Sequence, residues 1–258
     1  KKKGRVYGMK VSYHKEYSHF LHKDMEYKIY GHAGKPMLVF PTSLGRFYQY
    51  EDSGMVETLR EFIDSGKLQI WACDSIDEET FFSEHWNIDD KINRHEQYDK
   101  YITQELIPGI LQQSQWSNAG EAQKILISGC SMGGYYSANF FFRHPQFFDS
   151  LLSLSGVYST HYFFGDYKDG AVYFNSPLQY LPQLQDDQYL NQYRQSRIII
   201  CCGQGAYEDE MLHETRQLQE VLQQKQIPAQ IDYWGTDVNH DWPWWNKQIH
   251  HYMNHFLY

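Results

Sequence analysis

The sequence predicts an α/β fold: a single domain built on a mostly parallel central sheet with helices on both faces. Three observations carry that expectation. Short apolar runs of strand length alternate along the chain with stretches of helical periodicity. Several of these runs are apolar at every position, as in strands covered on both faces. The 258 residues suit one large α/β domain, and no linker or composition shift divides them.

The elements follow in order. Residues 25–30 and 36–40 read as two strands, separated by the turn signal Gly31-His32-Ala33-Gly34. Residues 68–73 form a third strand. Residues 124–128 (KILIS) form a fourth, 151–154 a fifth, 198–202 a sixth and 229–234 a seventh. Tyr98, Ile102, Leu106 and Ile110 recur at helical spacing between the third and fourth strands. Met211, Thr215, Leu218 and Leu222 form a second helical stripe, and Trp245, Ile249, Tyr252, Met253 and Phe256 a third. The segment 158–196 breaks this rhythm. It is weakly periodic and rich in Tyr and Phe, which suggests a lid, a substrate wall or a packed surface insertion.

Composition excludes several function classes. Lys and Arg total 23 against 32 Asp and Glu, a formal net charge of −9, which argues against nucleic acid as a partner. The basic run Lys1-Lys2-Lys3 reads as a solvated end. No apolar run approaches the roughly 18 residues of a membrane helix, and no signal peptide is expected behind the charged start. Cys73, Cys130, Cys201 and Cys202 include no CxxC pair, so reduced thiols and a cytoplasmic setting are expected. Cys130 is the one cysteine expected outside a buried strand.

Gly129-Cys130-Ser131-Met132-Gly133 fits the pattern G-x-S-x-G. It follows the fourth strand and precedes a helical stretch at 135–143. That strand–turn–helix setting makes Ser131 a candidate nucleophile on a strained turn. Side chains at 129 or 133 would collide with the neighbouring strand or helix, whereas Gly134 is expected to add slack. A serine hydroxyl needs a base oriented by a third group. His213, His250, His251 and His255 lie in expected helices. His240 instead lies in a loop after the seventh strand, before Pro243 opens the last helix. It is the candidate base.

The acid should follow the sixth strand, where Glu208 and Asp209 are both available. Asp209 is expected to cap the next helix through its side chain, leaving Glu208 to reach His240. Asp209 is the alternative acid. Asp237 and Asp241 are too close to His240 in sequence to orient its ring easily. The oxyanion donors are expected at the N–H of Met132 and at that of Ser43 or Leu44, in the loop after the second strand.

GCSMGG around Ser131, GQGAYEDEM with its acids, and NHDWPWW around His240 together resemble the putative-esterase branch of the α/β-hydrolase superfamily. That broad group includes esterase D (S-formylglutathione hydrolase), microbial feruloyl esterases and mycolyltransferases. The stretch from Arg94 through Tyr98 to Pro108 adds to the likeness, which spans about residues 25–258. The resemblance implies Ser131 as nucleophile, His240 as base and an acid at Glu208 or Asp209. Two departures stand out. The oxyanion loop reads FPTSLG rather than HGGG, and Cys130 precedes the serine where many relatives carry His, a position that would line the site.

Other chemistries find less support. His251 and His255 lack the Glu of HExxH, and His19 and His22 lack cysteine partners. Neither a dinucleotide fingerprint nor a P-loop is present, so no metal and no organic cofactor is expected. The expected activity is a serine carboxylesterase acting on a small to medium small-molecule ester through an acyl-serine intermediate. An acyltransferase on the same three residues is the alternative, and a non-catalytic binding protein on this scaffold a third reading. The aromatic segment and Trp242, Trp244 and Trp245 suggest an apolar or ring-bearing group in the substrate, or core packing.

Overall fold

The computed structural model describes residues 8–257, so the Lys1-Lys2-Lys3 tip lies outside the described residues. Strand residues alternate between two cores. Met37 and Val39 enter one and Leu38 and Phe40 the other. Leu126 opposes Ile125 and Ile127, and Ile199 and Cys201 oppose Ile198 and Ile200. This alternation is why the runs are apolar at every position. One core is closed by helices Ile88–Lys100, Ile107–Ser117, Met132–Arg143 and Asp209–Gln224. The other is closed by short helices between Gln49 and Asp64 and by the C-terminal helix Trp242–Met253.

Among the described residues, eight strands form one sheet: β1 (Val11–Ser18), β2 (Lys23–Tyr30), β3 (Lys35–Phe40), β4 (Leu68–Cys73), β5 (Ile125–Cys130), β6 (Phe148–Leu154), β7 (Arg197–Cys202) and β8 (Gln230–Tyr233). Their order is β1-β2-β4-β3-β5-β6-β7-β8. The strands from β4 to β8 are mutually parallel, and β1 and β2 add an antiparallel edge. The parallel strands end together, so the loops after β3, β5, β7 and β8 gather at one end of the sheet, where ligand groups collect in such folds.

The structure corrects the expected elements at several places, among them the strand expected at 151–154, which begins at Phe148, and the short helices between Gln49 and Asp64, which were not expected. β1 was not expected. Its larger side chains Val11, Tyr13 and Tyr17 share one face, but Lys15 interrupts that set and the face is exposed, so the pattern does not read as a half-buried strand; it pairs with β2 along its whole length. The strand expected at 124–128 continues through Gly129 to Cys130. The Tyr98–Ile110 stripe crosses a wide π-helical stretch, Tyr101–Leu106, between two α-helices. Pro108 lacks an N–H and crowds the carbonyl four residues back, and the wider turn relieves both. The 158–196 segment contains short helices, including Pro177–Gln183 and Asp187–Gln195.

Candidate active site

Ser131 stands between β5 and the helix Met132–Arg143 with φ 58° and ψ −119°. That is a strained conformation for a residue with a side chain. Backbone contacts hold it. Ser131 N–H donates to the Leu154 carbonyl at 2.9 Å, and Tyr135 N–H donates to the Ser131 carbonyl at 3.1 Å. A Cβ at Gly129 would lie 2.3 Å from the Gly133 oxygen, and one at Gly133 would lie 2.7 Å from the Phe40 oxygen. Gly134 does not add slack. A Cβ there would lie 2.8 Å from the Leu154 oxygen, so it too is a point of close packing. Cys130 does not line the site either. It closes β5 and is buried in the core beneath the C-terminal helix.

The loops after β7 and β8 bring two more groups to Ser131. His240 Nε2 lies 2.8 Å from Ser131 Oγ, and His240 Nδ1 lies 2.7 Å from Glu208 Oε1. An ionised Glu208 can only accept, which puts a hydrogen on Nδ1 and leaves Nε2 to accept from the serine hydroxyl. Glu208 is 1% exposed, and its second oxygen accepts from the Cys202 thiol at 2.9 Å. Asp209 is exposed and is the first residue of the following helix. It does not cap that helix. Glu208 occupies the N-cap position, with no side-chain cap bond, because its carboxyl group is turned to His240 and Cys202.

The two loops are sewn together by main chain. His240 N–H donates to the Ala206 carbonyl at 3.0 Å, and Gly205 N–H to that of Val238 at 2.8 Å. Trp245 meets the His240 ring edge-on, with centroids 4.8 Å apart, and its indole N–H donates to Ser155 Oγ. Asp241 caps the C-terminal helix through Trp242 N–H. Among the described residues, no group of three or more His, Cys, Asp or Glu is arranged to hold a metal.

A small cleft of about 30 Å³ opens beside Ser131 and Met132, walled by Ser43, Val157, Tyr162, Phe163 and Met211. Met132 N–H opens its helix without a side-chain cap, as an oxyanion donor requires. The two expected donors in the β3 loop part company. Leu44 N–H is given to Asp77 Oδ2 at 2.8 Å, so it is not available to a substrate. Ser43 remains at the cleft wall. A wider groove of about 950 Å³ at the other end of the sheet, past Lys35, Asp149 and Arg197, contains none of these groups.

Several residues around the site escaped sequence reasoning. Asp77 is buried, which pushes its carboxyl group up to about 6, and it accepts from Tyr136 as well as Leu44. Its place in the acidic run DSIDEE looks like solvated surface. Glu214 accepts from Tyr158 N–H, Ser159 N–H and the Ser159 hydroxyl, and so holds the start of the aromatic segment. A single charged residue in a helical stripe gives no signal of that role.

The family model described as "Putative esterase" matches residues 34–256. The chain belongs to the putative esterase family. It is a carboxylic ester hydrolase of the α/β-hydrolase superfamily. Solved structures share the fold over nearly the whole chain. A ferulic acid esterase aligns at TM-score 0.73 and 17% identity, over 95% of this chain and 96% of its own. An S-formylglutathione hydrolase from Agrobacterium tumefaciens aligns at 0.73 and 13%, over 96% and 94%. A ferulic acid esterase from Anaeromyces mucronatus, in complex with ferulic acid, aligns at 0.68 and 10%, over 97% and 92%. No curated protein matches the sequence significantly. Among the described residues, no helix is long and apolar enough to cross a membrane.

Proposed function

We propose that this esterase is a serine carboxylesterase that hydrolyses small to medium esters through an acyl-serine intermediate. The observation that carries the proposal is the unbroken hydrogen-bonded line from Glu208 through His240 to Ser131. Ser131 Oγ attacks the acyl carbon while His240 Nε2 takes its proton. Glu208 keeps the Nδ1 hydrogen in place and stabilises the imidazolium that forms. The tetrahedral oxyanion rests between the N–H groups of Met132 and Ser43. Collapse expels the alcohol, which takes the proton from His240. Water, deprotonated in turn by His240, then attacks the acyl-serine, and Ser131 regains its hydrogen.

The acyl group lies against Val157, Phe163 and Met211, with the 158–196 segment supplying the aromatic wall of the same domain. About 30 Å³ of free space favours a short acyl group unless Tyr162, which is half exposed, swings outward. Neighbours named as a ferulic acid esterase and an S-formylglutathione hydrolase set the range of esters and thioesters to try. The four cysteines are buried free thiols, which fits the cytoplasmic setting expected from the sequence.

The test uses p-nitrophenyl esters of graded acyl length with the wild type, Ser131→Ala and His240→Ala. Turnover is expected to fall about 10⁴-fold or more in both variants while their folding is unchanged. Activity surviving in Ser131→Ala would remove that residue from the nucleophile role. Faster ester exchange than hydrolysis on adding acceptor alcohols would put an alcohol in place of water in the second half-reaction.

A further inference from the structure

Asp77 lies outside the line of Glu208, His240 and Ser131, yet its buried carboxyl group holds both sides of the oxyanion site. Oδ2 accepts the Leu44 N–H at 2.8 Å, and Oδ1 accepts the Tyr136 hydroxyl. Leu44 directly follows Ser43. Tyr136 stands about one turn beyond Met132 on the same helix. One carboxyl group therefore joins the β3 loop to the helix that begins at the candidate nucleophile. We propose that Asp77 is a positioning residue that sets the gap between the Ser43 and Met132 N–H groups.

The proposal rests on the esterase reading above and goes one layer further out. The root of the β3 loop is already fixed, because Gly133 packs directly against the Phe40 and Pro41 carbonyls. Its tip is not fixed by that contact. Leu44 sits at φ 59°, in the left-handed region that a leucine keeps only when its surroundings hold it there. The stretch after β4 provides the hold. Asp74 accepts from Phe47 N–H and from the Arg46 guanidinium, and the Ser75 hydroxyl donates to the Gly45 carbonyl. Asp77 is the member of this set that also grips the nucleophile's helix. Two divergent carboxylate oxygens suit that task, because each can take a donor from a different element.

An oxyanion hole works only when its donors are held at the distance the transition state needs, so a loosened gap lowers transition-state binding and leaves ground-state binding alone. The test compares Asp77→Ala, Asp77→Asn and Tyr136→Phe with the wild type. It measures kcat, KM, thermal stability and inhibition by a trifluoromethyl ketone, which adds to a serine to give an oxyanion. Asp77→Ala is expected to lower kcat about 100-fold with KM within about twofold, and to weaken the ketone in step. Asp77→Asn keeps an oxygen for Leu44 N–H and is expected to recover most of that loss. Tyr136→Phe frees the carboxyl group from the helix and is expected to cost about tenfold in both kcat and ketone affinity.

Unchanged kcat and ketone affinity in folded Asp77→Ala would overturn the proposal. So would a loss carried by KM alone. Should Asp77→Ala not fold, Tyr136→Phe decides the matter: wild-type kcat and ketone affinity would overturn it. Ser131→Ala, run beside these, separates the two levels. Turnover in Ser131→Ala defeats the esterase reading itself, whereas an inactive Ser131→Ala beside a fully active Asp77→Ala defeats only the role of Asp77.

Discussion

The elbow at Ser131 and the aromatic segment 158–196 meet at one cleft, but they are held in different ways. The elbow is fixed by main chain against main chain. Gly129, Gly133 and Gly134 each leave no room for a Cβ before a backbone oxygen. The segment hangs from side chains. Asn175 Oδ1 accepts from His95, Asn139 and Arg143, and its amide donates to Glu96 and the Ala171 carbonyl. Glu214 holds the start of the segment at Tyr158 and Ser159. Backbone contacts fix a strained geometry that cannot drift. Side-chain nodes hold a wall that a few substitutions can re-aim. The first suits the attacking role proposed for Ser131, and the second suits the substrate wall proposed for 158–196.

The largest expected effect breaks the elbow. In Gly129→Ala the new methyl meets the Gly133 carbonyl at 2.3 Å, where backbone must move. A loss of about 3 kcal/mol or more in denaturant stability is expected, with esterase turnover abolished in whatever folds. Near-wild-type stability would mean the elbow is looser than these contacts imply. Asn175→Ala comes next. It leaves buried donors on His95 and Asn139 without their acceptor, at a cost of about 2–4 kcal/mol. Here KM should rise more than kcat falls, because the wall loosens while Ser131 stays in place. An equal fall in kcat would show that the two regions are not separable.

His95 sharpens the comparison through pH. Burial holds its imidazole down to about 4, while the unfolded chain protonates near the ordinary histidine value. The unfolded state therefore binds the extra proton between about 6.5 and 4, and stability falls as pH falls through that window. Asp77 works in the opposite sense, because the folded state takes its proton from about 6 downward. His95→Gln removes only the destabilising limb. The stability deficit of that variant at pH 7 should shrink at pH 5, by about 1–2 kcal/mol in urea titrations. A deficit equal at both pH values would refute the assignment. The smallest effect is expected at Tyr162→Ala, on the half-exposed rim of the cleft. Stability should change by less than about 0.5 kcal/mol, while the preferred p-nitrophenyl ester shifts to longer acyl chains. An unchanged chain-length profile would take Tyr162 out of the substrate wall.

How much of this was legible follows the same division. The parallel strands were plain because burial on both faces makes consecutive positions apolar, as in Ile125-Leu126-Ile127 and IIICC. The edge strand β1 was hidden because the face that carries Val11, Tyr13 and Tyr17 is exposed and Lys15 interrupts its alternation. Gly129 and Gly133 announced themselves as glycines beside a serine. The preference for Glu208 over Asp209 rested on a cap that Asp209 does not make, and it is the Glu208 carboxyl group that meets His240. Ser43 and Leu44 looked equivalent as donors until Asp77 was seen to occupy one of them.

By itself, the sequence determined the strand–helix alternation, the two-sided sheet and the short list of Ser131, His240 and two neighbouring acids. Those features depend on local hydropathy period, on glycines beside a tight turn and on which loop follows which strand. Only the tertiary structure decided which acid turns inward, which loop N–H is already taken and what Asp77, Asn175 and Glu214 hold. Each of those depends on a pairing between residues 30 to 80 positions apart. Such a pairing leaves no local pattern, because a buried carboxylate and a solvated one are the same letter until the chain folds.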